Sequence, residues 1–152
     1  MRILLVGATG FIGRQLLSAL TAAGHTLVAT SRCAQQLALP AVEWRALDLA
    51  LLAENPKHFD WPEQVNLLIN AAGLLSTDAQ ALRQVQDRGA CALFDLAAAH
   101  GTRVLQISAL GAAEQPDITF LASKAAADAH LLALGISAVV LRPSLVLGAG
   151  GA

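Results

Sequence analysis

The sequence predicts an α/β fold in which a doubly wound parallel sheet lies between two layers of helices. Short apolar segments typical of strands alternate along the chain with longer segments of helical periodicity. The first strand segment is a continuous apolar run, as expected of a parallel strand that is buried on both faces. Right-handed crossovers between such strands place helices on both sides of the sheet. We therefore expect a ligand at the carboxyl edge of the strands.

The pattern predicts six strands and the helices between them. The strand segments are Arg2–Val6, Thr26–Ser31, Val42–Ala46, Leu67–Asn70, Arg103–Ser108 and Ala138–Arg142. The predicted helices run from Ile12 to Ala23, over Thr77–His100 and over Phe120–Leu134, with a short helix and a loop over Leu51–Glu63. Gly24 and Gly135 follow the first and last of these helices, and glycine commonly ends a helix.

Length and composition indicate one soluble domain. The 152 residues can enclose a sizeable core, because 55% of them are apolar. Ten basic and eleven acidic residues give a net charge of −1, which predicts neither a nucleic-acid nor a membrane partner. The chain has no apolar run of membrane-spanning length and begins with a strand rather than a signal peptide, so we expect a cytoplasmic protein. Cys33 and Cys91 lack disulfide or metal-site spacing, which suits a reducing compartment.

Three glycines connect the first strand to the first helix with the spacing of a phosphate-binding turn. Gly7 permits a tight turn, Gly10 lets backbone N–H groups approach an anion, and Gly13 lets the helix pack closely on the strand. The positive end of the helix dipole then favours the pyrophosphate of a dinucleotide. The alternative is a purely structural turn, since glycine-rich chains produce such spacings by chance.

The end of the second strand predicts which dinucleotide is bound. An acidic residue there selects the free ribose 2′-hydroxyl of NAD(H), whereas an arginine accepts the 2′-phosphate of NADP(H). This chain has Ser31 and Arg32 at that point, and a guanidinium pairs well with a phosphate. We therefore expect NADP(H) rather than NAD(H). The alternative is an ordinary solvated arginine at a strand end.

Five motifs follow the predicted strands in order: Thr9-Gly10-Phe11-Ile12-Gly13, Asp48-Leu49, Ile69-Asn70-Ala71-Ala72-Gly73, Ser108-Ala109-Leu110-Gly111 and Leu141-Arg142-Pro143-Ser144. Together they resemble the short-chain dehydrogenase/reductases, in particular the extended and atypical branches related to nucleotide-sugar epimerases, which have a Rossmann fold. The resemblance implies that Thr9 to Gly13 hold the pyrophosphate and that Asp48 and Leu49 meet the adenine. It also implies that Ala71, Ala72 and Gly73 pack beside the cofactor and that Pro143 lies by the nicotinamide. Asp48 as a helix N-cap, Gly73 as a turn residue and Pro143 as a strand terminator are the structural alternatives.

The chain departs from this family at the catalytic step. The resembling enzymes use a Tyr-x-x-x-Lys pair for proton transfer, but this chain contains no tyrosine and has Phe120 and Lys124 in the matching register. Phenylalanine cannot act as an acid or base, and such proton transfer is worth about 10²–10⁴-fold in rate. The resemblance implies that Lys124 bonds the nicotinamide ribose, unless it is a lysine on a solvated helix face.

Two other positions bear on catalysis. Ser108 is a candidate for holding a substrate carbonyl, although the family's working hydroxyl often lies one or two residues later, so Ser108 is alternatively a backbone-bonding residue. The resemblance also implies that Gln86 stands at the position of a family asparagine on the central helix.

Other chemistries have little support in the sequence. The four histidines stand far apart without ligand partners, so no metal site is expected, and neither a nucleophile elbow nor a P-loop motif is present. The chain ends soon after the last strand, where the resembling proteins continue into a substrate lobe. We expect residues 1–152 to be a cofactor domain without that lobe, either excised or unusually short.

Two functions therefore remain open. One is an NADP(H)-dependent oxidoreductase or epimerase-like enzyme. The other is a dinucleotide-binding regulator, redox sensor or assembly factor, similar to the branch of nitrogen-metabolite-repressor-like and complex I subunit-like proteins. The substrate and the oligomeric state do not follow from the sequence.

Overall fold

The computed structural model describes residues 1–33, 42–113, 117–148 and 150. The strands in this part of the chain are β1 (Arg2–Val6), β2 (Thr26–Ser31), β3 (Val42–Ala46), β4 (Leu67–Asn70), β5 (Arg103–Ile107) and β6 (Ala138–Leu141). The α-helices are α1 (Phe11–Ala22), α2 (Leu49–Glu54), α3 (Ala79–Leu82), α4 (Ala90–Ala99) and α5 (Thr119–Ala133). A 3₁₀ turn covers Pro56–His58, and a π-helical segment over Arg83–Gly89 joins α3 to α4.

The six strands form one parallel sheet in the order β3-β2-β1-β4-β5-β6. The chain builds the sheet outward from β1, first to one side through β2 and β3 and then to the other side through β4, β5 and β6. The change of side falls between the parallel neighbours β1 and β4, whose terminal residues Val6 and Asn70 pair. Sheets of this topology hold ligands in the crevice at that point, outside the carboxyl ends of the strands. The predicted doubly wound α/β fold is confirmed.

The central strands are apolar along their whole length because both faces of the sheet are covered. Along β1, Leu4 faces a cluster that includes Phe94 of α4 and Leu131 of α5, while Ile3 faces a second cluster that includes Leu17 of α1. All five side chains are at most 5% exposed. Helices therefore fix the positions of the loops at the carboxyl edge from both sides.

The boundaries differ from the predictions in a few places. β5 and β6 each end one residue earlier than expected, because the chain turns toward the loops at Ser108 and Arg142 and Pro143 has no N–H with which to continue the ladder. The helix predicted from Thr77 begins at Ala79, since the carboxylate of Asp78 accepts the first free N–H groups.

The region predicted as a short helix and a loop contains α2, which begins two residues earlier than expected. Asp48 caps α2 by accepting a hydrogen bond from the N–H of Ala50 at 2.8 Å. The π-helical segment was not predicted. It packs so closely on α2 that a Cβ atom added at Gly89 would overlap the carbonyl oxygen of Leu49.

Candidate functional site

The turn after β1 has the geometry that the glycine spacing predicts. Gly7 has φ +80°, a left-handed conformation, and a Cβ there would lie 2.6 Å from the backbone nitrogen of Ala72 at the end of β4. The N–H of Gly10 closes the turn by donating to the carbonyl of Gly7 at 3.0 Å. A Cβ at Gly13 would overlap the same carbonyl, so α1 can start against this turn only with glycine there.

The N-terminus of α1 is suited to receive an anion. Gly10 is the N-cap, and neither a side-chain cap nor an acidic residue in the first turn neutralises this helix end within the described residues. Asp48 and Asp78, by contrast, cap α2 and α3 with carboxylates. The uncapped N-terminus of α1, which is the positive end of its dipole, therefore lies at the carboxyl end of β1, beside β4.

The chain that follows β6 reaches back to α1. A Cβ at Gly148 would lie 3.3 Å from the ring of Phe11, and Arg14 Nη2 donates to the carbonyl of Gly150 at 2.9 Å. Because β5 and β4 stand between β6 and β1, residues 142–148 cross the carboxyl edge of the sheet. This crossing segment places Pro143 at the edge of β5, where its carbonyl accepts from the N–H of Leu110 at 2.9 Å.

The predicted adenosine side of the site lies at the ends of β2 and β3. Arg32 is exposed there, and the hydroxyl of Ser31 donates to the carbonyl oxygen of Cys33. Asp48 and Leu49 follow β3, with the Asp48 carboxylate capping α2 and Leu49 buried. The structure thus brings these four residues to the same edge as the glycine turn, although Ser31 and Asp48 already make local hydrogen bonds.

Lys124 is a charged side chain at the other half of the edge. It is only 6% exposed, and its Nζ donates to the carbonyl of Ile107 at 3.1 Å, with the carbonyl of Ala72 at 3.5 Å. Burial lowers the pKa of Lys124, while the negative charge of Asp128 opposes that shift. A Cβ at Gly73 would lie 3.5 Å from Gln86 Oε1 and 3.7 Å from this amine, so the Lys124 amine lies directly beside the loop after β4.

Phe120 lies one helical turn before Lys124 and is half-buried. Its carbonyl accepts a hydrogen bond from Ser123 Oγ at 2.9 Å, and Gln86 Nε2 donates to that same hydroxyl at 3.1 Å. Gln86 Oε1 also accepts the N–H of Leu74 at 3.0 Å, which fixes the loop after β4. Gln86 therefore joins the π-helical segment to α5 and to the edge of the sheet beside Gly73.

A buried polar cluster, which the sequence reasoning did not identify, lies beneath the ends of β5 and β6. Asp128 is 1% exposed, and its Oδ2 accepts from Ser108 Oγ at 2.7 Å and from Arg142 Nε at 3.2 Å. Its Oδ1 is buried and has no partner in the described part of the molecule. The sequence contained one signal for this residue, because Asp128 stands four residues after Lys124 in an alanine-rich helix and so lies on the same helix face.

Several aliphatic side chains are exposed in the loops after β4, β5 and β6. They are Leu75, Leu110, Leu145, Val146 and Leu147, with exposures from 43% to 88%. Loops that follow parallel strands share one edge of the sheet, so this apolar surface adjoins the site. Of the helices in the described ranges, none has the length and apolar character needed to cross a membrane. The described residues also contain no group of three metal-ligating side chains placed to hold an ion.

The family relationship is established over nearly the whole chain. Residues 3–152 match the family model described as the NAD dependent epimerase/dehydratase family. The chain therefore belongs to that family, and the resemblance to the extended and atypical short-chain dehydrogenase/reductases is confirmed.

Two curated proteins are similar to this chain. Ceramide reductase of Caulobacter vibrioides is 30% identical over 151 residues, which cover 96% of this chain and 46% of that protein. Photosystem II assembly factor Ycf39 of Synechocystis is 28% identical over 144 residues, or 93% of this chain and 44% of that protein. The chain thus spans less than half the length of either relative.

Solved structures show the same architecture. A putative NAD-dependent epimerase/dehydratase from Bacillus halodurans is 25% identical with a TM-score of 0.80, over 95% of this chain and 70% of that chain. The Bordetella bronchiseptica enzyme WbmG, solved in complex with NAD, is 18% identical with a TM-score of 0.73, over 93% of this chain and 52% of that chain. At 18% identity, the likeness to WbmG concerns the fold alone.

Proposed function

We propose that this chain is an NADP(H)-binding domain of an atypical short-chain dehydrogenase/reductase, acting as an oxidoreductase or epimerase-like enzyme without the usual catalytic tyrosine. The observation that carries the proposal is the start of α1, where a glycine turn presents a helix end free of acidic caps to the crevice of the sheet. Such a helix end binds a pyrophosphate through backbone N–H groups. Family membership of the chain supports the same ligand.

The remaining cofactor contacts follow the sheet edge. In this proposal Thr9 to Gly13 hold the pyrophosphate, Ser31 and Arg32 take the 2′-phosphate, and Asp48 and Leu49 border the adenine. Ala71, Ala72 and Gly73 lie beside the cofactor, Lys124 donates to the nicotinamide ribose, and Pro143 borders the nicotinamide. When bound, a nicotinamide coenzyme supplies a hydride donor or acceptor. The two free cysteines fit the reducing environment of the cytoplasm.

Phe120 has no group that could perform the proton transfer that accompanies hydride transfer. Ser108 was a candidate from the sequence, but its hydroxyl already donates its single proton to Asp128, so it offers an incoming substrate an acceptor rather than a donor. Lys124 is another titratable group at the edge of β4 and β5. We assign it cofactor binding first, because its amine lies beside Gly73 in the loop after β4.

The second candidate function is a dinucleotide-binding regulator, redox sensor or assembly factor that does no chemistry. The absence of tyrosine favours it, since the binding surface is retained while the phenol is lost. The two curated relatives divide in the same way, one being named a reductase and the other an assembly factor. The exposed aliphatic surface fits either an apolar substrate or a protein partner.

Calorimetric titration of the protein with NADP⁺, NADPH, NAD⁺ and NADH tests the shared part of the proposal. Tightest binding of the phosphorylated pair is expected, and no binding of any of the four would refute it. Phe120→Tyr separates the two functions in a screen of carbonyl substrates, with Phe120→Leu as a control for a change at this position that adds no hydroxyl. A gain in NADPH oxidation in Phe120→Tyr alone supports the enzyme, and no gain supports the binding role.

A further inference from the structure

Asp128 is an unusual residue to bury in this core. One of its oxygens has two donors, but the other has no hydrogen-bond partner, and a buried carboxylate in that state costs free energy unless nearby positive charge compensates it. Lys124 lies one turn earlier on α5 and is itself almost fully buried. Both side chains therefore lie in a region of low dielectric constant, where opposite charges one helical turn apart attract each other.

Asp128 supplies negative charge to Lys124 from the same helix. The ends of β4 and β5 present the backbone carbonyls of Ala72 and Ile107, and the π-helical segment presents the uncharged Gln86. From β6 comes Arg142, a cation that bonds the same carboxylate and is partly exposed. The charge state of Lys124 thus depends on the balance between Asp128 and Arg142.

We infer that Asp128 is a positioning residue that keeps Lys124 charged beside Gly73 in the loop after β4, and that Arg142 weakens this effect. An ammonium group has three N–H donors, and the two backbone carbonyls take two of them. The third donor stays available for a ribose hydroxyl only while the amine is protonated and oriented. The ribose contact rests on the proposed function, whereas the coupling of the three charges does not.

The chain makes this coupling directly measurable, because Lys57 and Lys124 are its only lysines. In protein labelled with ¹³C at the lysine Cε, two signals report the two amines, and the exposed Lys57 on the 3₁₀ turn serves as an internal reference. Asp128→Asn keeps the shape and an acceptor oxygen but removes the charge. We expect the titration midpoint of Lys124 to fall by about one pH unit or more, with that of Lys57 unchanged.

Two matched variants complete the test. Ser108→Ala removes a hydrogen bond from the same carboxylate but leaves its charge, so the Lys124 midpoint should stay within a few tenths of a unit. Arg142→Gln removes the competing cation, so the midpoint should rise. A Lys124 midpoint that is the same in the wild type and in Asp128→Asn overturns the inference. If Asp128→Asn does not fold, an unmoved midpoint in Arg142→Gln overturns it instead.

NADPH titrations then connect the coupling to the cofactor. Affinity should weaken as pH rises through the Lys124 midpoint, and in Asp128→Asn this loss should begin at lower pH, with about tenfold weaker binding at a pH between the two midpoints. A residue with only a structural role would weaken binding equally at every pH. If the lysine signals shift as expected but the wild-type protein binds no dinucleotide, the charge coupling stands and the proposed function fails.

Discussion

Replacing Gly10 by alanine should weaken dinucleotide binding without unfolding the protein. The backbone at Gly10 has φ −73° and ψ 172°, a conformation that alanine adopts readily. A Cβ there would lie 3.3 Å from the carbonyl oxygen of Gly7, so a shift of a few tenths of an ångström accommodates it. Alanine caps a helix less well than glycine but restricts the unfolded chain, so the free energy of unfolding should change by less than about 1 kcal/mol.

The same methyl group would stand at the start of α1, where the proposed pyrophosphate approaches the backbone. Moving the phosphates away from one or two N–H groups removes charge-assisted hydrogen bonds, each worth about 1.5–3 kcal/mol. The dissociation constant for NADPH should therefore rise at least about tenfold. Calorimetric titration measures this change, and a thermal melt of the same sample measures stability.

Gly24→Ala is the matched control, at the opposite end of the same helix. Gly24 has φ +78° with no neighbouring atom within 4 Å, so alanine there is strained but touches nothing. The strain is about 1–2 kcal/mol, which lowers the melting temperature by about 2–8 °C in a domain of this size. NADPH affinity measured well below that temperature should not change. Normal affinity in Gly10→Ala, or equal losses of affinity in both variants, would refute the reasoning.

Three further predictions concern the adenosine end, the helix contact and the thiols. Arg32→Asp should move the ratio of NADPH to NADH affinity at least about tenfold toward NADH, because the carboxylate repels a 2′-phosphate and accepts a 2′-hydroxyl; an unchanged ratio removes the arginine from the site. Gly89→Ala should reduce the free energy of unfolding by about 1–3 kcal/mol in a denaturant titration, since its methyl group overlaps the Leu49 carbonyl, and unchanged stability would contradict the close contact. Burial, and to a lesser extent the neighbouring Asp87, raise the pKa of Cys91 to about 12. At pH 8 a disulfide reagent should therefore label only the exposed Cys33 in the native protein. Rapid labelling of both cysteines would disprove this prediction.

The fold and the glycine turn could be predicted because both depend on local patterns. An apolar run in β1 and glycines at fixed spacing constrain the backbone directly, whatever the rest of the chain does. The π-helical segment could not be predicted in this way. One extra residue in a helical turn barely alters the spacing of apolar residues, and its packing depends on α2, which arrives from another part of the chain.

The site was harder to predict where side chains from separate elements meet. Ser108 was singled out as a hydroxyl at a strand end, but its partner Asp128 stands twenty residues later on α5, and nothing local signals that contact. Arg142 was noted within a motif, whereas its role as a partner of the same carboxylate emerges only from the pairing of β5 with β6. Asp48 shows a further limit, since a strand-ending aspartate can border a ligand and cap a helix with the same side chain.

The absence of tyrosine separates two tasks that this family usually combines. Binding a pyrophosphate depends on backbone N–H groups and glycine spacing, which no single side chain supplies, and this chain has the left-handed Gly7 and the uncapped helix end that the proposed site needs. Proton transfer depends on one oxygen atom, and at Phe120 that atom is missing. Because the glycine turn does not depend on the side chain at position 120, cofactor affinity and turnover should respond to different substitutions. Gly10→Ala should reduce affinity even if turnover is already absent, and Phe120→Tyr should leave affinity within a fewfold whether or not it restores turnover.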